Sequence, residues 1–494
     1  MATTMKAAVY HEFGGPISIE DVPKPSIRRR RRIDGADGGV DDDDHSHRVI
    51  IKIMATGICR SDYHGWKGHD TDIIEHGLPF VPGHECSGYV VQVGSKVQTL
   101  TVGDRVVVPF IWSCGTCRYC VGGGCNSSGR GSTSGIRPQP TICKYQRQPG
   151  FTQWGSYAEY LSVSWADRNL RKLPSNVSYI QAAALGCRFT TAYRAIIQQG
   201  KFEELIASSS SPSSIAIFGC GGLGLSCIMI AVAAIKAQVN ERRRRNSRLN
   251  GGGDSSCDCR IIAIDISTEA LEMAKSLGAT HTVLIPKGSD GSNSKSLHEI
   301  VKQKVCSLTY DNDGADITVD AAGFPSTSEY AVHCARPGGT MVQVGLPISG
   351  EGGGSSNNNN NNGDHASNKN HGNATTMAHP IIPMGRVAGK ELQIIGSHGF
   401  DAADFPQLLD MVSSGVLDPS QLVTREVTLE EGCTILQTME YTSPVGINVI
   451  TKFNNDDLGS GENYKAVETE TDAYGVAAST LSSSLSVHLP ASRL

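Results

Sequence analysis

Residues 214–232, SIAIFGCGGLGLSCIMIAV, constrain the fold of this chain more than any other stretch. A short apolar run meets four glycines, Gly219, Gly221, Gly222 and Gly224, with Leu223 among them, and a longer apolar segment follows. This order predicts strand, tight turn and helix, the opening of a unit whose next strand lies parallel to the first. The glycines allow the turn and let the backbone approach a diphosphate, whose charge the helix N-terminus stabilises. The glycine pattern alone is a weak signal. It gains weight from a second strand, RIIAIDIS, which ends on Asp265, where a carboxylate can accept the hydroxyls of an adenosine ribose.

Asp265 lies 41 positions beyond Gly224, where about 20 is usual. The excess, QVNERRRRNSRLNGGGDSSCDC, has the composition of a surface insertion between helix and strand. An arginine could instead point to NADP, but Arg242, Arg243, Arg244 and Arg245 precede the strand while the residue at its end is acidic, which favours NAD. Helical and strand patterns then alternate through TEALEMAKSLGAT, HTVLI, SLHEIVKQKV, DITVDAAG, STSEYAVHCARPGG and TMVQVGLP, as a doubly wound parallel sheet requires.

The N-terminal part reads differently. MKAAVYHEFGGPISIEDVPKP, RVIIKIMA, GYVVQVG and GDRVVVPF are short β-branched runs bounded by glycine, the pattern of a mostly antiparallel, partly barrel-like unit. Five arginines at 28–32 are followed by four aspartates at 41–44, so this segment reads as a solvated loop that neutralises itself. With a net charge of -5 the chain offers no electrostatic reason to bind nucleic acid. Its opening, MATTMKAAVYHEF, lacks a basic segment leading into an apolar core, so neither a secreted nor a membrane-spanning protein is expected.

Fifteen cysteines in a chain expected inside the cell point to metal rather than disulfides. Cys59 and His84, at either end of GICRSDYHGWKGHDTDIIEHGLPFVPGHE, would give two of the three protein ligands of a catalytic zinc. Cys187, in LGCRFTTAY, is the candidate third, its alternative being a buried structural thiol. Cys114, Cys117 and Cys120 form a C-x-x-C-x-x-C run whose thiolates can converge on a structural zinc. Cys143 is preferred as its fourth ligand. Cys125 is the alternative, nearer but set in a glycine- and serine-rich run.

GICRSDYHGW, PGHE, CGTCRYC, QPGFTQWGSYAEY, LGCRFTTAY, FGCGGLGL, AIDIS and KELQIIGSHGF, in that order, resemble the zinc-dependent medium-chain alcohol dehydrogenase family. The resemblance implies an α/β protein with a GroES-like, mostly β catalytic domain over 1–187 and 397–453, and a doubly wound parallel Rossmann domain over 188–396. Insertions fall near 27–47, 125–140, 238–258 and 349–378, and residues 454–494 read as a disordered tail. It also implies that Glu85 stands beside a catalytic zinc held by Cys59, His84 and Cys187, and that Asp62 orients a ligand. Ser61 and His64 match a proton relay, and Arg60 a contact to a cofactor phosphate. The implied reaction is hydride transfer between an alcohol and NAD, giving an aldehyde or ketone, in a homo-dimer or homo-tetramer. A polyol- or threonine-type zinc dehydrogenase and a non-catalytic NAD(H)-binding protein are the competing readings. A cytoplasmic location is expected, with Ser492-Arg493-Leu494 resembling a peroxisomal address.

Overall fold

The β-branched runs at the N-terminus and the alternating runs after residue 212 build two different sheets. In this computed structural model the described residues are 4–27, 44–122, 138–208, 212–248, 257–286, 294–347, 379–441 and 444–454. Seven strands come first: β1 (Thr4–Tyr10), β2 (Ile17–Pro23), β3 (Val49–Gly57), β4 (Glu85–Val93), β5 (Arg105–Val108), β6 (Tyr160–Val163) and β7 (Arg171–Lys172). Six follow: β8 (Ser213–Phe218), β9 (Cys259–Asp265), β10 (His281–Leu284), β11 (Ala315–Asp320), β12 (Ala335–Gln343) and β13 (Gln393–Gly396). The chain returns with β14 (Val423–Thr428) and β15 (Ile447–Lys452).

Strands β1 and β2 form an antiparallel hairpin. The larger β-rich sheet runs β14-β15-β3-β4-β5-β7, with β6 on β3; its pairs are antiparallel except β14 with β15. The other sheet, β10-β9-β8-β11-β12-β13, is parallel throughout. Its order reverses beside β8, which lies between β9 and β11, and ligands of such sheets bind beyond the strand ends at that reversal. The fold is thus α/β, with a GroES-like sheet and a Rossmann-like sheet.

Side-chain alternation fills both faces of the parallel sheet. Ile215 and Ile217 of β8 pack with Leu225, Ile228 and Ala231 of the helix Gly222–Arg248 in one core, while Ala216 and Phe218 face Tyr330, Ala331 and Met341 in another. A third core, with Val49, Ile51, Val106, Val108 and Trp112, lies against the β-rich sheet.

Several sequence expectations change. Within the stretch 238–258, read as an insertion between helix and strand, the helix after the glycine turn continues unbroken to Arg248. Gln, Glu and Arg are good helix formers, so the polar half continues the helix into solvent. Arg242 Nη2 ties it back by donating to the Ile206 carbonyl at 2.8 Å. By length and composition this helix could cross a membrane, yet Leu225 to Ala234 is packed in the sheet's core. The helix expected through ARPGG ends at Cys334, and those residues begin β12; Pro337 cannot continue a helix. At the described edges of the first two expected insertions, Asp44–His47 and Pro140–Ile142 are short 3-10 turns. Residues 28–43, 123–137, 348–378 and 455–494 lie outside the described set, and with them the arginine run, Cys125 and Ser492-Arg493-Leu494.

Candidate active site

Strand pairing brings the first two expected ligands together. Gly57, the last residue of β3, pairs with Glu85, the first of β4, so Cys59 and His84 leave the same end of one antiparallel ladder. Gly57 is needed there, since a Cβ would meet Glu85 Oε2 at 2.2 Å. Gly186 is also closely packed, its Cβ position lying 2.9 Å from Glu85 Cα. That approach seats the π-helical turn Leu185–Phe189, which carries Cys187, on the ladder's end. Such turns recur at functional sites because one extra residue re-aims a side chain.

The result is a compact cluster. One ligand atom from each of Cys59, His84, Glu85 and Cys187 lies within 4.8 Å of the others. Asp62 positions two of them. Its Oδ1 is 2.7 Å from His84 Nδ1 and accepts the Gly83 N–H at 3.1 Å, while its Oδ2 accepts the Cys59 N–H at 3.1 Å. Holding Nδ1 this way aims Nε2 into the cluster, the usual arrangement of a carboxylate behind a ligating imidazole. Phe151 and Phe110 flank the His84 ring at 5.0 and 5.7 Å.

Charge in the cluster is only partly compensated. A hydrogen bond from Cys187, with Arg188 and His84 nearby, lowers the Cys59 thiol and outweighs its burial. Burial pushes Glu85 up to about 8 against the pull of Arg188. Arg188 Nε is 3.4 Å from Glu85 Oε1 and its Nη2 donates to the Ile58 carbonyl, yet both Glu85 oxygens are buried without a hydrogen-bond partner. Two thiols, an imidazole and an unpartnered carboxylate, all converging, are a donor set that fits zinc.

The second cluster is sulfur alone. Cys117 and Cys120 are 3.5 Å apart, Cys143 and Cys114 3.5 Å, Cys117 and Cys143 3.7 Å, and Cys114 and Cys120 3.9 Å. A tetrahedral zinc with bonds of about 2.3 Å has edges of about 3.8 Å. Backbone N–H groups of Cys114 and Tyr145 donate to Cys143 Sγ, both at 3.3 Å, and that of Cys117 to Cys114 Sγ at 3.3 Å. Burial works against it, yet the backbone N–H groups of Lys144 and Cys120 bring the Cys117 thiol down to about 6.

The glycine turn has the tightness its sequence implies. Gly219 adopts φ +91°, and a Cβ on Gly224 would meet the Gly219 carbonyl at 1.7 Å. Asp265 closes the turn from β9: its Oδ2 accepts the Cys220 N–H at 2.6 Å and its Oδ1 the Ser267 N–H at 2.8 Å. Gly221 has open space beside it, so the backbone at the start of a long helix is approachable, a cradle that suits a dinucleotide phosphate.

Residues 45–175 match the alcohol dehydrogenase GroES-like domain, and residues 255–363 the zinc-binding dehydrogenase domain. An alcohol dehydrogenase of Geobacillus stearothermophilus is 31% identical over 344 residues, spanning 69% of this chain and 78% of that one. The chain belongs to the zinc-dependent medium-chain alcohol dehydrogenase family. Alcohol dehydrogenase class-2 isozyme 2 of Oryctolagus cuniculus is 25% identical over 442 residues, 86% of this chain and 92% of that one. The solved structure of alcohol dehydrogenase TADH from Thermus sp. ATN1 has a TM-score of 0.63 at 25% identity, covering 91% and 100% of the two chains. That of the Aeropyrum pernix alcohol dehydrogenase, at 24% identity and TM-score 0.62 over 90% and 99%, shares the fold. As a member of this family, the chain is an NAD-dependent zinc oxidoreductase of alcohols and aldehydes.

Other residues expected for a medium-chain alcohol dehydrogenase are placed as follows. Ser61 stands in the helix Arg60–Trp66 with its Oγ 3.7 Å from Cys59 Sγ. His64 faces His69, which lies in the loop after the helix, with Nδ1 3.2 Å from Nδ1. Arg60 Nη1 donates to the Met439 carbonyl at 3.5 Å. Leu223 lies in the first turn of the helix Gly222–Arg248. Sequence reasoning missed Arg188, although a cation inside LGCRFTTAY was a visible anomaly, and it missed His69 altogether.

Proposed function

We propose that Cys59, His84 and Cys187 hold the catalytic zinc, with Glu85 beside it, and that Cys114, Cys117, Cys120 and Cys143 hold a structural one. The observation that carries this reading is the convergence of the first four side chains behind the Asp62–His84 hydrogen bond. Zinc held by these side chains would supply a Lewis acid for the substrate oxygen, and NAD held on the turn at 219–224 would supply the hydride acceptor.

The chain's own residues manage position and proton. Asp62 keeps His84 in one tautomer and orientation. Ser61, in contact with the Cys59 sulfur, takes the proton of the substrate hydroxyl and passes it to His64, three positions on along the same helix face. Burial, Arg60 and His69 hold His64 down to about 4, so it is a neutral base at working pH. Phe110 and Phe151 give the site an apolar wall. Asp265 accepts the ribose hydroxyls and disfavours the extra phosphate of NADP, and Arg60 reaches a cofactor phosphate. In the reverse direction the same groups return the proton to a reduced aldehyde or ketone.

The catalytic unit comprises 1–187 and 397–453, the dinucleotide unit 188–396. A homo-dimer or homo-tetramer is supported by β13, an edge strand with Ile394 exposed, since uncovered apolar edges invite pairing. Light scattering giving a monomer mass would overturn that assembly. Purified zinc-loaded protein should produce NADH absorbance with members of a panel of primary, secondary and polyhydric alcohols, and more with NAD than NADP. Silence across the panel would remove the assignment.

A further inference from the structure

We propose that His69 is the outer station of the proton relay, accepting from His64 the proton that leaves the substrate hydroxyl and delivering it to solvent. This rests on the relay reading of Ser61 and His64.

The loop that follows the helix Arg60–Trp66 is built to fold His69 back. Gly68 adopts φ +78°, a region open mainly to glycine, and Phe13 lies 2.9 Å from where its Cβ would stand. The reversal lets the His69 N–H donate to the His64 carbonyl at 2.9 Å. It brings the imidazoles together, with Nδ1 3.2 Å from Nδ1, ring centroids 5.5 Å apart and planes inclined at 34°.

Two Nδ1 atoms at that distance share one proton: one ring donates Nδ1–H and the other accepts with its lone pair. A pair of imidazoliums would have two donors facing each other and two positive charges in contact. His64 is also a poor place to keep a charge, because burial and the neighbouring Arg60 both oppose it. Passing the proton to His69 moves the charge off the ring that burial and Arg60 disfavour.

The step balances without any added reagent. The proton reaches His64 at Nε2. The Nδ1–H bond of His64 breaks as an N–H bond forms at Nδ1 of His69. His69, now cationic, loses its Nε2 proton to water. Both rings are left neutral in the opposite tautomers, and exchange of ring protons with water restores the starting pair. Only N–H bonds change, and one proton leaves for each hydride transferred.

The test uses zinc-loaded enzyme, NAD and a simple alcohol near pH 6.5. His69→Gln should slow turnover by about a hundredfold, the low end of proton-transfer contributions. NADH binding by fluorescence titration should stay unchanged, and added imidazole should restore the rate. His64→Gln should slow turnover too, and the double variant should be no slower than His64→Gln alone, as expected for two stations on one path. If His64→Gln is slow while His69→Gln matches the wild type, His69 is off the path and the proposal fails. If His64→Gln also matches the wild type, the relay reading fails and takes this inference with it. Should His69→Gln lose NADH binding, the wild-type rate in mixtures of H2O and D2O decides. A curved dependence, from more than one moving proton, supports the chain of imidazoles, and a straight line overturns it.

Discussion

Asp62 Oδ1 stands 2.7 Å from His84 Nδ1, and both side chains are almost wholly closed to solvent, at 0% and 1% exposure. The same carboxylate accepts the N–H groups of Cys59 and Gly83, so one buried side chain fixes both ends of the segment that carries Cys59 and His84. Asp62→Asn keeps the shape and removes the charge. Zinc affinity at that site should fall by about 10- to 100-fold, as for other residues that orient metal ligands. Chelator competition followed by metal analysis measures it, with the sulfur cluster as an internal reference.

Cys143 and Cys125 can be separated by metal stoichiometry. With two donor clusters among the described residues, the wild type should bind two zinc ions per chain. Cys143→Ser should bind one and melt at a lower temperature, because a structural zinc contributes folding energy directly. Cys125→Ser should keep both. Equal zinc loss in the two variants would contradict the geometry of the cluster.

Arg188 sets a stability prediction. It is the buried counter-charge of Glu85, and its side chain also packs on Gly222. Burial already pushes Glu85 up to about 8, so it is above that pH, as at about pH 9, that Arg188→Gln leaves an ionised carboxylate buried without its counter-charge, a change that typically costs about 3–5 kcal/mol. Denaturant unfolding of metal-free protein should show that loss, and adding Glu85→Gln should recover much of it. A wild-type midpoint for Arg188→Gln would show the pair to be energetically idle.

The lowered His64 fixes the sign of one pH effect. An unfolded histidine titrates near 6.5, whereas burial, Arg60 and His69 hold the folded group down to about 4. Between those values the unfolded chain binds the extra proton and the folded chain does not. Stability tied to this group is therefore complete above about pH 6.5 and is lost as pH falls towards 4. His64→Gln should flatten the decline of the unfolding free energy across that window, and an unchanged slope would place the titration elsewhere.

What could be read from sequence followed how local the chemistry is. Three thiols in CGTCRYC and the glycines around Gly222 announce themselves within a few residues, and the structure brings those sulfurs together with Cys143 and makes the turn tight. Cys187 carried no such signal, because its partners come from strand ends far away in the chain and its aim depends on a π-helical turn. The helix to Arg248 was hidden by its own charge, since a solvated helical face and a loop insertion share a composition. The helix Leu429–Thr438 was overlooked although Thr428 and Glu431 form a reciprocal cap at its start, a pattern visible in TLEE. His69 escaped because a positive-φ glycine, not a periodicity, brings it to His64.

Strand β15 lies beside β3 in the interior of the β-rich sheet, pairing Val449 with Gly57, and the Asn448 carbonyl accepts the Ile58 N–H at 2.9 Å. The residue that steadies the backbone next to Cys59 is therefore among the last of the described chain to leave the ribosome. Every strand of the dinucleotide sheet, β8 to β13, precedes Asn448 in the chain, so the partner of the Ile58 N–H is made only after that sheet's residues. A chain ended before Asn448 should therefore bind zinc more weakly at the Cys59 cluster than the full chain does, which metal analysis of the two would check.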